Sequence, residues 1–313
     1  MEQEQKKKMI SIIIPVYNEE EVLLQFFAEL KLILNLIKYK YEIIFINDGS
    51  YDNTQKIIES LKNKNNFIKY ISFSRNFGHQ AALTAGLENS KGDAVIMMDA
   101  DLQHPPDILI QLIESWENGF EIVYTKRKND KKISFFKRMT SNLFYKIIRT
   151  FSDIQLEYNV ADFRLMSRKT INALNSLPEK TRFIRGLVKW LGFKSTSISF
   201  TAPPRQQGET KYTLKKMLDF ALNGIISFST LPIHLMSIFG FFVSICSFIY
   251  LIWVIIEQYL GNTVSGWSTI VGLILLMNGI QFIMLGILGE YISKIYKETK
   301  SRPVYIVDKH SLD

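Results

Sequence analysis

Two aspartates, Asp99 and Asp101, stand directly after the apolar run Ala94–Met98. One residue separates them, so both carboxylates project to the same side where a strand ends. Such a pair can hold a hard divalent cation, which neutralises the phosphate oxygens of a nucleotide. An Asp-X-Asp pair can also simply solvate a loop, and the spacing alone leaves both interpretations open.

Polar residues and glycines also follow three earlier apolar runs, in the segments 15–19, 47–50 and 74–78. Together with the aspartate pair, they predict a nucleotide site. Asp48 can accept a hydrogen bond from a base or a ribose, Gly49 permits a tight turn, and Arg75 offers a planar fork to phosphate. Taken singly, Asp48 could instead cap a helix, and Arg75 could be a solvated surface residue.

Strands and helices alternate in the part of the chain that carries these residues. Apolar runs predict strands at Ile10–Pro15, Tyr41–Ile46, Ile68–Phe73 and Ala94–Met98. Helical spacing of apolar residues predicts helices at Glu19–Leu36, Asn53–Lys62 and His79–Glu88. This alternation predicts an α/β fold with a mostly parallel sheet that binds its ligand at the carboxyl ends of the strands.

The last third of the chain is apolar over much longer runs. Residues 220–256 and 258–289 contain no Asp, Glu, Lys or Arg. Each run exceeds the roughly 20 residues that a helix needs to cross a bilayer. We predict a transmembrane hairpin with spans near 233–256 and 268–289. Two buried helices of a soluble protein are the alternative.

Cationic residues flank this hairpin on one side. They precede the first span (Lys211, Lys215, Lys216) and follow the second (Lys294, Lys297, Lys300, Arg302). This asymmetry predicts that both ends of the chain are cytoplasmic. Residues 211–231 are predicted to be an amphipathic juxtamembrane segment, with a cytoplasmic extension of the first span as the alternative. The predicted organisation is a catalytic domain over 1–210, this segment, the hairpin over 232–292 and a cytoplasmic tail over 293–313.

Composition narrows the class of protein further. The 313 residues include 38 Lys and Arg against 30 Asp and Glu, and the net charge of +8 favours phosphorylated metabolites, nucleic acid or a membrane surface as partners. No nucleic-acid-binding motif accompanies this charge. Cys246 is the single cysteine, which excludes an intrachain disulfide and a cysteine-based zinc site. The apolar run that ends at Pro15 is too short for a cleaved export signal.

A basic and aromatic stretch occupies residues 126–149. It contains nine cationic residues against Asp130 alone, interleaved with phenylalanine and tyrosine. A run of charge is usually a solvated face, but attraction to anionic lipid is worth about 1 kcal/mol per cation near a bilayer. Arg127 and Arg138 are the candidates for holding an acceptor phosphate.

Residues from Met9 to about Leu112 resemble the nucleotide-sugar-binding half of the family 2 glycosyltransferases, which have the Rossmann-like GT-A fold. The segment Arg205-Gln206-Gln207-Gly208-Glu209-Thr210-Lys211-Tyr212 and the two terminal apolar runs are similar to the bactoprenol glucosyltransferase branch, a relative of dolichol-phosphate mannose synthase. The resemblance covers nearly the whole chain.

This resemblance implies roles for individual residues. The nucleoside would be lined by Pro15, Tyr17, Glu19 and Asp48, Mg²⁺ or Mn²⁺ would be bound by Asp99 and Asp101, and Gln103 would lie beside the sugar. Arg75, Arg205 and Lys211 complete the predicted donor site, while Arg164 joins Arg127 and Arg138 at the acceptor phosphate. Asn47 stands where the family more often has an aspartate.

Asp162 and Asp101 are the predicted catalytic carboxylates. Asp162 falls where such enzymes carry a carboxylate near the acceptor, and a salt bridge to Arg164 is its alternative role. His79 and His104 are predicted to be structural or polar-loop residues instead of metal ligands.

The implied activity is transfer of a hexose, by default glucose, from a UDP-sugar to polyisoprenyl (undecaprenyl) phosphate. The resemblance also implies inversion at the anomeric carbon and a site on the cytoplasmic face of the bacterial inner membrane. The product would be used in cell-envelope glycosylation, and the protein would be a homo-oligomer such as a tetramer. One rival is a polysaccharide synthase, which the absence of a Gln-X-X-Arg-Trp motif and the few spans disfavour. The other is a non-enzymatic membrane scaffold or flippase accessory, which leaves the charged strand ends unexplained.

Overall fold

Eight strands form one sheet in the computed structural model of the protein, which describes residues 8–127, 160–180, 182–201, 231–260 and 266–312. The strands are β1 (Met9–Val16), β2 (Lys40–Asn47), β3 (Ile68–Phe73), β4 (Ala94–Met97), β5 (Ile122–Arg127), β6 (Val160–Ser167), β7 (Ser195–Phe200) and β8 (Val307–Ser311). The helices are α1 (Leu23–Leu34), α2 (Thr54–Lys64), α3 (His79–Asn89), α4 (Ile108–Glu117), α5 (Arg168–Asn175), α6 (Ile184–Trp190), α7 (Leu231–Tyr259) and α8 (Trp267–Thr299).

The strand order is β7-β5-β6-β4-β1-β2-β3-β8. β1 pairs in parallel with both β2 and β4, and β3 pairs in parallel with β2. β6 and β8 are antiparallel to the strands beside them. The chain thus builds β2 and β3 on one side of β1 and then places β4 on the other. Open α/β sheets bind ligands at such a reversal of strand order, in the crevice outside the carboxyl ends of β1 and β4.

The central strands are buried, which explains their unbroken apolar sequences. Ile10, Ile12 and Ile14 on β1 have no exposed surface, as expected where helices cover both faces of a parallel sheet. α1 contributes Phe26 and Leu30 to the same core, four residues apart on one face of the helix.

The predicted alternation of strands and helices from Ile10 to Met98 is confirmed by β1–β4 and α1–α3. The largest difference in bounds is at α1, which begins at Leu23 instead of Glu19. The main-chain oxygen of Glu19 accepts turn hydrogen bonds from Val22 N (3.2 Å) and Leu23 N (3.0 Å). Glu19 N donates to Thr54 Oγ1 (2.9 Å), so the chain is tied to the neighbouring loop before the helix starts.

The C-terminal residues form a strand that the sequence analysis did not predict. Where a tail was expected over 293–313, α8 continues to Thr299 and β8 then pairs antiparallel with β3. β8 carries Asp308, Lys309 and His310, all exposed, so no apolar alternation marks it in the sequence. The sheet therefore contains residues from both ends of the chain.

The chain divides into two compact units: one contains the eight-stranded sheet, and the other contains α7 and α8. Within the described parts of these helices, the stretch Leu276–Thr299 is long and apolar enough to cross a membrane, with a mean hydropathy of 1.2. The pair of spans near 233–256 and 268–289 therefore stays a prediction. Residues 211–230 of the predicted juxtamembrane segment lie outside the described residues.

A buried carboxylate, Glu42, links three strands near the amino end of the sheet. Its Oε1 accepts hydrogen bonds from Ser11 Oγ (2.5 Å) and Lys91 N (2.8 Å), and Lys69 Nζ lies 2.9 Å from Oε2. Burial raises the pKa of Glu42, but these hydrogen bonds and the charge of Lys69 outweigh it and leave the pKa below its ordinary value.

Glu42→Gln should lower the free energy of unfolding at neutral pH and reduce its loss in acid. Because the folded pKa is lowered, ionised Glu42 stabilises the fold above the pKa of the unfolded chain, and this stabilisation is lost as pH falls through the folded pKa. Urea unfolding in detergent from about pH 7 to about pH 3 measures the effect. Glu114→Gln on the exposed surface of α4 is the control. Equal acid slopes for Glu42→Gln and the unaltered protein would contradict this account.

Candidate active site

Four loops lie at the carboxyl ends of the parallel strands. They follow β1 (17–22), β2 (48–53), β3 (74–78) and β4 (98–107). Because these strands are parallel neighbours, their carboxyl ends share one edge of the sheet. The polar segments singled out in the sequence therefore lie around one crevice.

Asn18 joins the loops after β1 and β2 through its side chain and its main chain. Asn18 Oδ1 accepts a hydrogen bond from Tyr51 N (3.1 Å), and Asn18 N donates to Ser50 Oγ (3.0 Å). Asn18 has φ +53°, a left-handed conformation that asparagine adopts more readily than most residues. In this arrangement the rings of Tyr17 and Tyr51 meet edge-on with centroids 6.2 Å apart.

The side-chain amide of Asn47 makes three hydrogen bonds to neighbouring protein groups. Its Oδ1 accepts from Ser50 N (3.0 Å), while Nδ2 donates to Gln55 Oε1 (2.8 Å) and Ser72 Oγ (3.3 Å). An aspartate could not donate the last two hydrogen bonds. The departure from the family's commoner residue is thus matched by partners that require an amide.

Asp48 is buried, with 4% of its surface exposed, and binds the loop after β3. Its carboxylate accepts hydrogen bonds from Phe77 N (2.7 Å) and Gly78 N (2.9 Å). Burial raises the pKa of Asp48, while the two main-chain N–H groups act in the opposite direction. The carboxylate that was predicted to line the nucleoside thus orders the third loop.

Gly49 allows the second and third loops to approach each other. Its φ is +67°, and a Cβ at this position would lie 2.7 Å from the Cα of Arg75. Only glycine avoids both the strained φ and the overlap. Arg75 itself is exposed, with its guanidinium 4.0 Å from the ring centroid of Phe77.

Gly49→Ala should destabilise the protein by more than about 1 kcal/mol and weaken nucleotide binding, because the new methyl group displaces the backbone of Arg75. Thermal unfolding and calorimetry with UDP measure the two effects. Gly119→Ala is the matched control, since Gly119 also has a positive φ (+83°) but no atom within 4 Å of a Cβ. Equal UDP affinity in the two variants would show that the approach of the loops does not shape the site.

Asp99 and Asp101 lie in the loop after β4. Asp101 Oδ1 accepts a hydrogen bond from Gln103 N (3.1 Å), and the Asp99 side chain is 31% exposed. Within the described ranges, no three His, Cys, Asp or Glu residues form a ready-made metal site. The two carboxylates offer the hard oxygen ligands that Mg²⁺ and Mn²⁺ prefer, and such ions commonly complete their shell with substrate phosphates. This donor set fits a divalent ion that binds together with a diphosphate.

His104 supports this loop from the core. Its Nδ1 accepts a hydrogen bond from Asp99 N (2.9 Å), and its ring stacks on Phe163 at a centroid distance of 5.0 Å. Burial lowers the pKa of His104, which favours the neutral imidazole that this acceptor role needs. His104 therefore positions Asp99, in agreement with the structural role predicted for it.

His79, the first residue of α3, stands between two carboxylates. Its Nε2 lies 3.8 Å from Asp99 Oδ1 and 3.6 Å from Asp162 Oδ2. Partial desolvation of the ring opposes protonation, although 41% of the side chain is exposed, but the contact with Asp162 and the charge of Asp99 outweigh it and raise the pKa of His79 to about 9. The sequence analysis missed this bridging position, although a histidine directly after the Gly78 loop was a signal for it.

Asp162 on β6 is the centre of an ion cluster. Arg185 on α6 binds both of its oxygens, with Nε–Oδ1 and Nη2–Oδ2 distances of 2.7 Å each. Burial alone would raise the pKa of Asp162, but the charge of Arg185, the hydrogen bonds and the charge of Arg164 hold it well below its usual range. Asp162 is therefore an ionised carboxylate with both oxygens occupied. No motif marked Arg185 in the sequence.

Arg164 has none of its surface exposed. Its Nη2 donates to Ala161 O (3.0 Å) and lies 3.3 Å from Asp162 Oδ1. A guanidinium enclosed in this way has no surface for an acceptor phosphate, and we correct its predicted role to that of a partner for Asp162. Arg185, whose side chain is 33% exposed, is the arginine of the cluster that reaches solvent.

The remaining predicted residues fall into two groups. Pro15, Glu19, Gln103 and Arg127 are described: Pro15 is buried in β1, and Arg127 ends β5 partly exposed. Arg138, Arg205 and Lys211 lie outside the described residues. The crevice thus brings together the predicted donor residues of the first four loops, while the acceptor side is described only in part.

The sequence profile described as Glycosyl transferase family 2 matches residues 11–174, which is more than half of the chain. The chain belongs to glycosyltransferase family 2. Its matched segment runs from β1 to α5 and so includes the four loops, the aspartate pair and Asp162.

Members of this family are similar to the chain over nearly its whole length. It is 43% identical over 300 residues to the uncharacterized glycosyltransferase YkcC of Bacillus subtilis, an alignment that covers 96% of this chain and 93% of the relative. It is 41% identical over 301 residues to the SfII prophage-derived bactoprenol glucosyl transferase of Shigella flexneri, with coverage of 96% and 97%. The resemblance to the bactoprenol glucosyltransferase branch is confirmed.

A solved structure of another glycosyltransferase shares the fold. It is glucosyl-3-phosphoglycerate synthase from Mycobacterium tuberculosis in complex with Mn²⁺, UDP-glucose and phosphoglyceric acid, with a TM-score of 0.50 and 17% identity. The match covers 70% of this chain and 78% of that one. At this identity the likeness establishes the fold alone, which is the GT-A α/β fold with a mostly parallel sheet.

Proposed function

We propose that the protein transfers a hexose, glucose by default, from a UDP-sugar to polyisoprenyl phosphate at the cytoplasmic membrane face. The similarity to bactoprenol glucosyl transferases supports this donor sugar and acceptor class. The observation that carries the proposal is the carboxylate pair Asp99 and Asp101 at the β1/β4 crevice, which His79 joins to the Asp162–Arg185 cluster. The product is a lipid-linked sugar for cell-envelope glycosylation.

On the donor side, the uridine lies along the first two loops, against Tyr17 and Glu19, with Pro15 buried beneath them at the end of β1. Asp48 holds the third loop so that Arg75 faces the diphosphate, and the exposure of the Arg75 guanidinium supports this assignment. Gln103 lies beside the hexose. Arg205 and Lys211, which flank Gly208, are assigned to the UDP-sugar as two further cationic ligands of the donor.

Asp99 and Asp101 are the residues that hold Mg²⁺ or Mn²⁺. When bound, this ion neutralises charge on the departing diphosphate. His104 Nδ1 fixes the main chain of Asp99, and Gln103 N donates to Asp101 Oδ1, so the Asp99 backbone and the Asp101 carboxylate are held by the loop itself. The Mn²⁺ in the UDP-glucose complex of the structural neighbour supports a divalent ion in this fold.

On the acceptor side, the reaction needs no general base, since a phosphate oxygen is already anionic. That oxygen bonds to the anomeric carbon as the bond from this carbon to the diphosphate breaks, and UDP leaves with the electron pair. Attack from the face opposite UDP inverts the anomeric centre. Positioning and charge stabilisation then account for most of the catalysis.

Asp162 fits this chemistry as a fixed negative charge. Arg185 occupies both of its oxygens and its pKa is far below the usual range, so it is a poor proton acceptor. We infer that Asp162 orients Arg185 and His79, whose positive charges face the acceptor. Arg127 and Arg138 bind the acceptor phosphate from the basic stretch.

The membrane arrangement belongs to the same proposal. The charge-free runs 220–256 and 258–289 support two spans, and the cationic flanks support cytoplasmic placement of both ends. A homo-oligomer such as a tetramer stays a prediction.

A cysteine introduced at Asn262 should be labelled from outside the cell, whereas one at Ser311 should not. The reason is the excess of Lys and Arg on the two outer flanks of the hairpin. The measurement uses an impermeant maleimide on intact cells in a Cys246→Ala background, with lysed cells as the control for reactivity. Labelling of the Ser311 position alone would reverse the proposed topology.

The activity is tested by incubating membranes with radiolabelled UDP-sugars and undecaprenyl phosphate and then extracting the lipids. We expect label in the lipid fraction with UDP-glucose, and none when undecaprenyl phosphate is omitted from membranes depleted of it. Label in lipid from a different UDP-sugar would correct the hexose. Absence of lipid-linked label with every UDP-sugar would overturn the proposed reaction.

A further inference from the structure

Residues 302–312, here called the strap, run along the edge of the sheet at the end of the chain. β8 within the strap covers the edge that β3 would otherwise present to solvent. The pairing contains a β-bulge: Ser72 lies opposite Lys309, but Phe73 lies opposite Val307. Bulges of this kind redirect a strand beside a functional site. The bulge here lies where β3 passes into the third loop.

The strap contacts the start of the third loop directly. Ser74 N donates a hydrogen bond to Ile306 O (3.1 Å), so the first residue of the loop is bonded to the strap. The ring of Tyr305 stacks on Phe73 with a centroid distance of 4.9 Å and an interplanar angle of 17°. Phe73 is buried, so this stacking anchors the strap in the core.

Phe73 continues these contacts into the donor site. Its ring meets Phe77 edge-on at 5.8 Å, and Phe77 N donates to Asp48 (2.7 Å). The Phe77 ring also carries the guanidinium of Arg75 at 4.0 Å. An unbroken series of contacts therefore runs from Tyr305 to two residues assigned to the donor.

Tyr305 makes a second connection through its hydroxyl group. The hydroxyl donates to Glu88 Oε2 (2.7 Å) in the last turn of α3, and Arg182 Nη1 lies 3.4 Å from Glu88 Oε1. Burial and the neighbouring Glu88 raise the pKa of Tyr305, so the hydroxyl keeps the proton that it donates. Since α3 begins at His79, the strap contacts the segment before α3 and also the end of that helix.

We propose that the strap positions the donor site by holding the third loop in the conformation that binds the diphosphate of the UDP-sugar. This inference rests on the proposed function, which assigns Asp48 and Arg75 to the donor. Tyr305 touches no substrate and acts through Phe73 and Phe77, so it is a positioning residue. Residues 300–306 join α8 to β8, and the chain therefore leads from the apolar helix pair straight into this support.

The test compares three point variants and one truncation with the unaltered protein, all in detergent. Tyr305→Leu removes the stacking, Tyr305→Phe keeps the ring and loses the hydroxyl, and deletion of 303–313 removes most of the strap. Lys309→Ala, an exposed side chain on the same strand, is the matched control. Calorimetry with UDP and Mg²⁺ gives Kd, and steady-state rates give KM for each substrate.

We expect Tyr305→Leu and the deletion to raise the Kd of UDP and the KM of the UDP-sugar about tenfold, equivalent to about 1.4 kcal/mol. The KM for polyprenyl phosphate and the kcat at saturating donor should stay unchanged, a split that general loss of structure would not produce. Tyr305→Phe should restore most of the affinity, and Lys309→Ala should bind UDP as the unaltered protein does. If the deletion variant does not fold, the UDP affinities of Tyr305→Leu and Tyr305→Phe are sufficient to test the inference.

Equal UDP affinity in Tyr305→Leu and the unaltered protein would overturn this inference and leave the proposed function intact. An equal rise in the KM of both substrates would also overturn it, because the strap would then serve overall stability alone. Failure of the unaltered protein to bind UDP would instead contradict the proposed donor.

Discussion

Replacing Asp99 by Asn should reduce turnover at least about a hundredfold while the protein stays folded. The carboxylate pair is proposed to hold the divalent ion that neutralises the departing diphosphate, a contribution of several kcal/mol, and a hundredfold corresponds to about 2.7 kcal/mol. Asp101→Asn should behave in the same way. Asparagine keeps the size of the side chain and removes the charge, so the loss reports on charge and not on packing.

The measurement is transfer of radiolabel to lipid by purified Asp99→Asn, with and without EDTA. Asp107→Asn is the matched control, because Asp107 is an exposed carboxylate in the same loop and makes no capping hydrogen bond to α4. Near-normal turnover of Asp99→Asn, or of the unaltered protein in EDTA, would contradict the assignment of Asp99 and Asp101 as metal ligands.

Asp162→Asn should destabilise the fold by about 3 to 5 kcal/mol, since removal of one partner from a buried ion pair leaves the other charge uncompensated. Arg164 has no exposed surface and would lose its carboxylate partner altogether. Turnover should fall as well, because Arg185 and His79 lose the group that orients them. Urea unfolding and the lipid-transfer assay measure the two effects.

Arg185 variants separate the catalytic part of this effect from the structural part. Because Arg185 is partly exposed, Arg185→Ala should cost less stability than Asp162→Asn and should still lower turnover. Arg185→Lys keeps the charge but cannot bind both oxygens of Asp162, so it should recover only part of the activity. A stability of Asp162→Asn within about 1 kcal/mol of the unaltered protein would contradict the buried-pair account.

The strands and the aspartate pair could be predicted because their signals are local. β1 and β4 are buried on both faces, so their sequences are continuous apolar runs, and each run ends at polar residues that must emerge at the sheet edge. The placement of Asp99 and Asp101 follows from that sequence order alone.

The Asp162–Arg185 pair could not be predicted because its partners lie on different elements, β6 and α6, and no spacing rule relates them. The positive charge of Arg164 suggested that it binds the acceptor phosphate, but its burial in the sheet leaves Asp162 as its partner. The bridging position of His79 depends on how α3 packs beside the ends of β4 and β6. Such contacts arise from tertiary structure, which periodicity does not encode.

The pairing of β3 with β8 also sets a constraint on biosynthesis. β3 is made early, but its antiparallel partner β8 is made only after both long apolar helices have been synthesised. Closing a loop of that length carries an entropic cost and slows folding relative to local contacts. The edge of the sheet beside β3 therefore stays open until both helices have been made, a state that invites mispairing with other chains.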